Sequence, residues 1–272
     1  MTPTIALPSP SRAGRERRAR LRNFNRHLSL AWFFAWSDAR ARYKRSVLGP
    51  FWLVLSTMIG IGGLGLVWGA LMQVDRSVFI PLLTVGLVMW NLISGSVTGS
   101  TNVFARHASV IKNIPTPTLR ISLQLLFEQI VNFLHNLVVV ALMLMVYPEH
   151  LSPMALLALP GLALVLANLL WVIQVLGILG ARFRDFDPLV SALMPILFFM
   201  SPVLYQSHQL GTRAFVMRFN PMSYWVEIVR EPILGTVPSA FTYGITIVMA
   251  IAGWALAVWL TRAKAVRIPY WV

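Results

Sequence analysis

Six long apolar runs constrain this sequence of 272 residues more than any other feature. Apolar residues make up 57% of the chain and charged residues only 12%, which is unlike the composition of a soluble globular domain. Because a bilayer core about 30 Å thick needs about 20 helical residues, each run is long enough to cross it. The runs are residues 48–72, 79–104, 119–146, 153–181, 188–205 and 241–260.

The pattern therefore predicts an all-α membrane protein with six transmembrane helices. Three helix starts are also predicted from a capping side chain that precedes a proline at the first helical position. These are Thr116-Pro117, Ser152-Pro153 and Asp187-Pro188. The sequence contains no cysteine, so neither a disulfide nor a thiolate metal site is expected.

Six spans would place the loops alternately on the two sides of the membrane, and the basic residues are distributed unevenly between these sides. Of 23 lysine and arginine residues, 19 fall in the segment through Arg45 and in residues 106–120, 182–184 and 262–267. Because basic loops stay in the cytoplasm, both termini of this multi-pass membrane protein are predicted to be cytoplasmic. The net charge of +14 is then a topology signal, and a nucleic-acid partner is not needed. The opposite face holds Arg76, Arg213, Arg218 and Arg230.

Two segments precede the six-helix domain, which we place at residues 48–272. Residues 1–27 are predicted to be a basic cytosolic tail near anionic headgroups, with an organelle transit peptide as the alternative. Residues 28–47 are predicted to form an amphipathic helix along the membrane interface, or a simple aromatic and basic anchor. Its aromatic face would contain Trp32, Trp36, Ala39 and Tyr43, whereas Asp38, Arg42 and Arg45 point elsewhere and Asp38 can pair with Arg42.

Residues 206–240 are long, semi-polar and on the outer side. Their apolar pieces are too short to span a bilayer. We therefore predict short re-entrant or interfacial helices, broken at Pro221 and Pro232.

The sequence lacks the Gly-x-x-x-x-Gly-Lys-[Ser/Thr] phosphate cradle. If the protein is driven by ATP, the ATPase is therefore expected on another subunit, which would dock on a cytoplasmic loop. Residues 106–117 are the best candidate, because Ile111 and Ile114 are apolar side chains in an otherwise polar loop. The alternative is an ordinary loop whose isoleucines rest on the membrane.

The third span has a polar face, because Gln124, Glu128, Asn132 and Asn136 recur every four residues, with His135 beside them. Such groups are costly in a membrane and usually face a bundle interior or an aqueous cavity. They could form the wall of a sugar pathway or a proton relay from Glu128 to His135. Alternatively, they hydrogen-bond a neighbouring helix and hold the bundle together.

Four segments, taken in order, resemble one family over most of the chain, from about residue 28 to residue 272. They are RYKRSVLGPFW (42–52), FMSPVLY (199–205), FNPMSYWVEIVR (219–230) and the terminal RIPYWV (267–272). This combination is similar to the permeases of polysaccharide-export ABC transporters, in particular O-antigen and teichoic acid permeases of the Wzm type. The arginine-rich extension before residue 28 is outside the pattern.

The resemblance implies a homodimeric permease of the bacterial inner membrane that moves an undecaprenyl-diphosphate-linked glycan outward, without specifying the glycan. Two separate nucleotide-binding subunits would bind ATP and magnesium, and no cofactor is expected on this chain. The coupling segment would use Arg106, His107, Ser109, Ile111, Lys112, Asn113 and Ile114. The translocation pathway would use Tyr43, Phe51, Trp52, Glu128, Asn132, Phe198, Phe199 and Tyr205. The outer gate would use Tyr224, Trp225, Glu227 and Arg230.

Two other functions compete with transport. In an intramembrane enzyme, Glu128 and His135 would act as acid and base, although the four aspartates all fall outside the predicted spans and no Gly-x-Ser-x-Gly motif is present. A membrane scaffold without transport activity would not associate with an ATPase.

Overall fold

The structure is a computed structural model that describes residues 26–272, except residues 39, 42–43, 45, 47–48, 115 and 206–218. Within these residues all regular secondary structure is helical, which confirms the predicted all-α class. The basic tail up to residue 25, Tyr43 and Arg42 lie outside the described part of the chain.

Among the residues that the structure describes, five helices are long and apolar enough to cross a membrane. They are α2 (Phe51–Met72), α3 (Arg76–Thr101), α6 (Thr118–Val146), α7 (Ala158–Arg182) and α10 (Ala240–Lys264). The shorter helices are α1 (residues 26–38), α4 (Val103–Arg106), α5 (Ala108–Asn113), α8 (Phe186–Met200), α9 (Pro221–Ile233) and α11 (Ile268–Trp271). Single 3-10 turns occupy Pro148–His150, Pro153–Leu157 and Ala265–Arg267.

The predicted span at residues 188–205 corresponds to α8, which has only 15 residues. At 1.5 Å per residue, α8 is about 22 Å long, which is less than the hydrocarbon thickness. The chain leaves the helix at Ser201, and Pro202 follows without an N–H donor. Protein groups bind the non-helical segment, because the Nδ2 of Asn220 donates to the Oγ of Ser201 (2.9 Å) and Arg230 donates to the carbonyl of Pro202. Irregular backbone at membrane depth requires such partners.

One of the three predicted proline-linked caps is confirmed. The Oγ of Ser152 accepts from the backbone N–H of Met154 (3.2 Å) at the start of the 3-10 turn before α7. The prediction for Thr116 is wrong, since α6 has Pro117 at its cap position and no side-chain cap. The prediction for Asp187 is also wrong, because this residue lies inside the first turn of α8 and accepts a hydrogen bond from the Oγ1 of Thr101. A tertiary partner has replaced the local cap.

The prolines of the outer segment also behave differently from the prediction. Pro221 begins α9 rather than breaking a helix, and Asn220 caps it by accepting from the backbone N–H of Met222 (3.0 Å). Proline is favoured at this first position because its missing N–H would have no partner there. Pro232 lies in the last turn, where it does not interrupt the helix.

Helix α3 is the centre of the bundle, with every residue from Pro81 to Trp90 buried. It contacts α2, α6, α7, α8 and α9, while α10 packs against the outer side of α7. Gly95 and Gly99 have the small-xxx-small spacing that allows helices to pack closely, and the α6 side chains Gln129 and Leu125 lie against them. A small residue in α3 thus lets α6 approach.

Helices α2, α8 and α10 keep much of their apolar surface open. Exposed side chains include Ile59 and Leu66 of α2, Ile196 of α8, and Val248 and Ile251 of α10. Since these helices have membrane-like composition, lipid or another protein must cover these faces.

Candidate functional site

The segment between α3 and α6 forms two short helices, α4 and α5, on the side of the molecule that carries the basic loops. Five of its predicted coupling residues are exposed, and Ile114 has 56% of its side chain accessible. Ile111 is half-buried and packs against the core, so the two isoleucines face different surroundings. Of the two, Ile114 is the isoleucine whose side chain is exposed. The exposed set is Arg106, Ser109, Lys112, Asn113 and Ile114.

The C-terminus supports this segment from within the protein. Helix α11 contacts α5, and Ile268 at its start is fully buried. The guanidinium of Arg182 lies 5.6 Å from the ring of Trp271, which holds α11 near the end of α7. Sequence reasoning identified the terminal motif only by resemblance and missed this contact. The available signal was an aromatic, apolar ending directly after a basic segment.

The polar face of the third predicted span is largely occupied by contacts between helices. The Oδ1 of Asn136 accepts from the Oγ1 of Thr57 in α2 (2.7 Å), and the Nδ2 of Asn91 in α3 donates to the same hydroxyl (3.0 Å). Asn132 and Asn136 line a polar cavity of about 220 Å³ with these two residues. The face therefore holds α2, α3 and α6 together, and it also borders a small hydrophilic space.

Glu128 and His135, the two ends of the predicted proton relay, have separate surroundings. Glu128 is buried within the bundle. His135 is half-buried, its Nδ1 lies 2.7 Å from the carbonyl of Val131, and its ring lines a cavity beside α1. The described residues contain no cluster of three or more acidic or histidine side chains that could hold a metal ion.

The cavity beside α1 has a volume of about 660 Å³ and a basic wall. Arg40, Lys44 and His135 provide its nitrogen groups, while Trp36 and Pro50 provide apolar surface. It lies between the segment that leads into α2 and the middle of α6. Phe51 and Trp52, two predicted pathway residues, follow Pro50 and have more than half of their side chains exposed. The wall of this cavity thus combines basic side chains with the exposed ring of Trp36, and two further exposed aromatic residues follow it in the chain.

The remaining predicted pathway residues form a second cluster at the far end of α8. The rings of Phe198 and Phe199 are 5.3 Å apart, and Phe198 also meets Trp90 of α3 at 5.3 Å. The hydroxyl of Tyr205 donates to the carbonyl of Phe199 (3.0 Å). Phe199 is exposed, whereas Phe198 is half-buried. The described pathway residues thus lie in three places rather than along one continuous wall within a single chain.

Helix α9 places the predicted outer-gate residues mostly inside the protein. Tyr224, Trp225 and Arg230 are buried, and Glu227 is half-buried. Burial lowers the pKa of Arg230, and neighbouring Glu227 opposes this effect. Burial raises the pKa of Glu231 to about 7, with a further increase from the charge of Glu227 and a decrease from Arg230. The helix is therefore a packed element, and it carries a carboxyl group, that of Glu231, whose pKa is raised.

Comparison with known proteins agrees with this architecture. The sequence matches the family of ABC-2 type transporters over residues 29–234. It is 24% identical over 225 residues to an O-antigen export system permease protein RfbA of Klebsiella pneumoniae, covering 80% of this chain and 87% of that protein. It is also 24% identical over 192 residues to the RfbA permease of Myxococcus xanthus, covering 68% of this chain and 72% of that protein. With a match that covers most of its length, the chain belongs to the ABC-2 type transporter family of membrane proteins and resembles its O-antigen export permeases.

Proposed function

We propose that this chain is the membrane-spanning subunit of an exporter that moves an undecaprenyl-diphosphate-linked, O-antigen-like polysaccharide out of the cytoplasm. A separate subunit would hydrolyse the ATP, with its magnesium, that drives transport. The observation that carries the proposal is the basic cavity beside α1, which opens next to exposed aromatic side chains at the start of α2.

The basic cavity suits the diphosphate of a lipid-linked glycan. Arginine and lysine bind phosphate oxygens through charge-assisted hydrogen bonds, and Arg40 and Lys44 are both in the wall. The exposed rings of Trp36, Phe51 and Trp52 provide an amphipathic border where a polyprenyl chain could remain in the lipid. The cavity would therefore admit the substrate from the inner leaflet.

The exposed surface of α4 and α5 suits a nucleotide-binding partner. Ile114 would enter a groove of the partner, and Lys112 and Arg106 would flank it with positive charge. Movement of the partner on ATP binding would then push this segment and shift the equilibrium between closed and open pathways.

Two copies of the chain would complete the passage. The open apolar faces of α2 and α8, with the exposed ring of Phe199, would meet the same faces of a second copy. In this arrangement α8 and residues 201–205 together make the sixth crossing, which leaves both termini in the cytoplasm. Helix α9 would close the outer end. The purified complex is expected to contain two copies of each subunit by mass measurement.

The Ile114→Asp substitution tests the docking surface. A charge at this exposed anchor should reduce partner-dependent ATP hydrolysis and glycan export at least tenfold in proteoliposomes, because burying an unpaired carboxylate at an interface is costly. Folding of the chain should be unaffected, since the side chain is exposed.

Val266→Asp is the matched control. Val266 is an aliphatic residue with 82% of its side chain exposed, near the predicted cytoplasmic C-terminus and outside the coupling segment. This variant should export glycan at the wild-type rate. Full export by the Ile114→Asp variant would contradict the docking assignment, and a wild-type complex that hydrolyses ATP without moving glycan would contradict transport.

A further inference from the structure

Three segments of the chain meet at one amide group. The Nε2 of Gln124 in α6 donates to the Oδ2 of Asp38 in α1 (2.8 Å) and lies 3.2 Å from the Nε2 of His107, between α4 and α5. Asp38 is 86 residues from Gln124 along the chain and His107 is 17 residues away. Gln124 is buried, with 7% of its surface accessible, although both partners are more open to solvent.

The hydrogen atoms of this junction have one consistent arrangement. The Nδ1 of His107 lies 2.8 Å from the carbonyl of Val103, which can only accept, so Nδ1 carries the proton. The Nε2 of a neutral His107 is then an acceptor. The amide nitrogen of Gln124 has two hydrogens, one for His107 and one for the carboxylate of Asp38. Each donor of this amide nitrogen is thus matched to an acceptor on a different segment.

The two linked segments have different positions in the proposed transport cycle. His107 belongs to the segment that would receive the push of the nucleotide-binding partner. Asp38 lies towards the C-terminal end of α1, whose chain continues past the basic cavity into α2. Among the described residues, the Gln124 amide is thus a hydrogen-bonded bridge between α1 and the coupling segment.

We propose that Gln124 is a positioning residue that transmits movement of the coupling segment to the α1 helix and the basic cavity. The inference rests on the proposed function and extends it to a specific linkage. A side chain that bonds two segments to one helix couples their positions, so the cavity would change shape when the partner binds ATP and pushes the coupling segment.

The test is the amount of glycan exported per ATP hydrolysed, measured in proteoliposomes that contain the wild-type complex or a variant. Gln124→Leu removes both hydrogen bonds and retains a side chain of similar size. We expect ATP hydrolysis within twofold of the wild type and export per ATP at least fivefold lower. A merely structural role would lower the amount of active complex and leave this ratio unchanged.

Two variants of Asp38 keep the test valid if Gln124→Leu does not fold, because Asp38 is exposed. Asp38→Ala removes the acceptor and should lower the ratio as Gln124→Leu does. Asp38→Asn keeps an oxygen that accepts from the Gln124 amide, so this variant should restore most of the ratio.

Gln174→Leu is the matched control for loss of a buried amide. Gln174 also joins helices, since its Nε2 donates to Thr118 and Thr261, but it contacts neither α1 nor the coupling segment through these bonds. The Gln174→Leu variant should export as much glycan per ATP as the wild type, even if its melting temperature falls.

Wild-type export per ATP in both Gln124→Leu and Asp38→Ala would overturn the inference while the proposed function stands. An Asp38→Asn variant as defective as Asp38→Ala would also overturn it, since the acceptor bond would then be irrelevant. A wild-type complex that exports no glycan would overturn the proposed function and the inference with it.

Discussion

Buried polar side chains stabilise the non-helical backbone that follows α8 in this membrane protein. The Nδ2 of Asn220 donates to Ser201, and its Oδ1 caps α9 by accepting from Met222. Arg230 adds a bond to the carbonyl of Pro202, which lies just beyond the end of α8. Because lipid offers no hydrogen bonds, these protein groups would allow the chain to leave the helix within the membrane, where our proposal places α8.

Glu231 makes the stability of this region dependent on pH. Its pKa is raised to about 7 in the folded protein, above its ordinary value of 4.5. A raised carboxyl pKa contributes stability that is fully present below pH 4.5 and is lost as the pH rises through about 7. Glu231→Gln should therefore raise the melting temperature at pH 8 and change it little at pH 5, measured by thermal unfolding in detergent.

Glu149→Gln provides a comparison, because Glu149 is an exposed residue in the turn Pro148–His150. This variant is expected to retain the pH dependence of the wild type. An unchanged pH dependence in Glu231→Gln would mean that another group is responsible.

At the scale of elements, close approach of helices depends on glycine at particular contacts. A Cβ atom on Gly180 of α7 would overlap the backbone carbonyl of Thr101 at the end of α3. By contrast, a Cβ atom on Gly244 of α10 would meet nothing within 4 Å. The same residue type thus determines packing in one helix and is free to change in another.

Gly180→Ala should destabilise the protein by roughly 1–3 kcal/mol, because a backbone obstacle cannot rotate away and the two helices must separate. Gly244→Ala should be neutral or stabilising by up to about 1 kcal/mol, since alanine is the better helix former. Thermal or denaturant unfolding of both variants measures the difference. Equal stability of the two variants would contradict the close contact between α3 and α7.

At the scale of the whole molecule, the number of crossings depends on α8. In the described part of the chain five helices have the length and composition of full spans, and an odd number would put the termini on opposite sides. Our proposal makes α8, with about 22 Å of helix, and residues 201–205 the additional crossing. The basic residues near the C-terminus favour the cytoplasm for this end.

Cysteine labelling can decide the topology, because the sequence has no native cysteine. Single cysteines at Ser109, Thr236 and Tyr270, all exposed, mark the coupling segment, the connection after α9 and the C-terminus. We expect membrane-impermeant reagent in intact cells to label only position 236. Labelling at 270 together with protection at 236 would show that α8 does not cross the bilayer.

The sequence by itself determined the elements that depend on local properties. Length and hydropathy located five spans, and the Ser152 cap was predictable because the capping group and the backbone N–H are two residues apart. Only the tertiary structure decided the use of the polar residues. A polar stripe on α6 indicates that its side chains need hydrogen-bond partners, but it does not identify them. Gln124 bonds Asp38, which is 86 residues away along the chain, and Asn136 bonds Thr57, which is 79 residues away. Such partners depend on how the helices pack. For the same reason Asp187 bonds the hydroxyl of Thr101 and does not cap α8 as predicted.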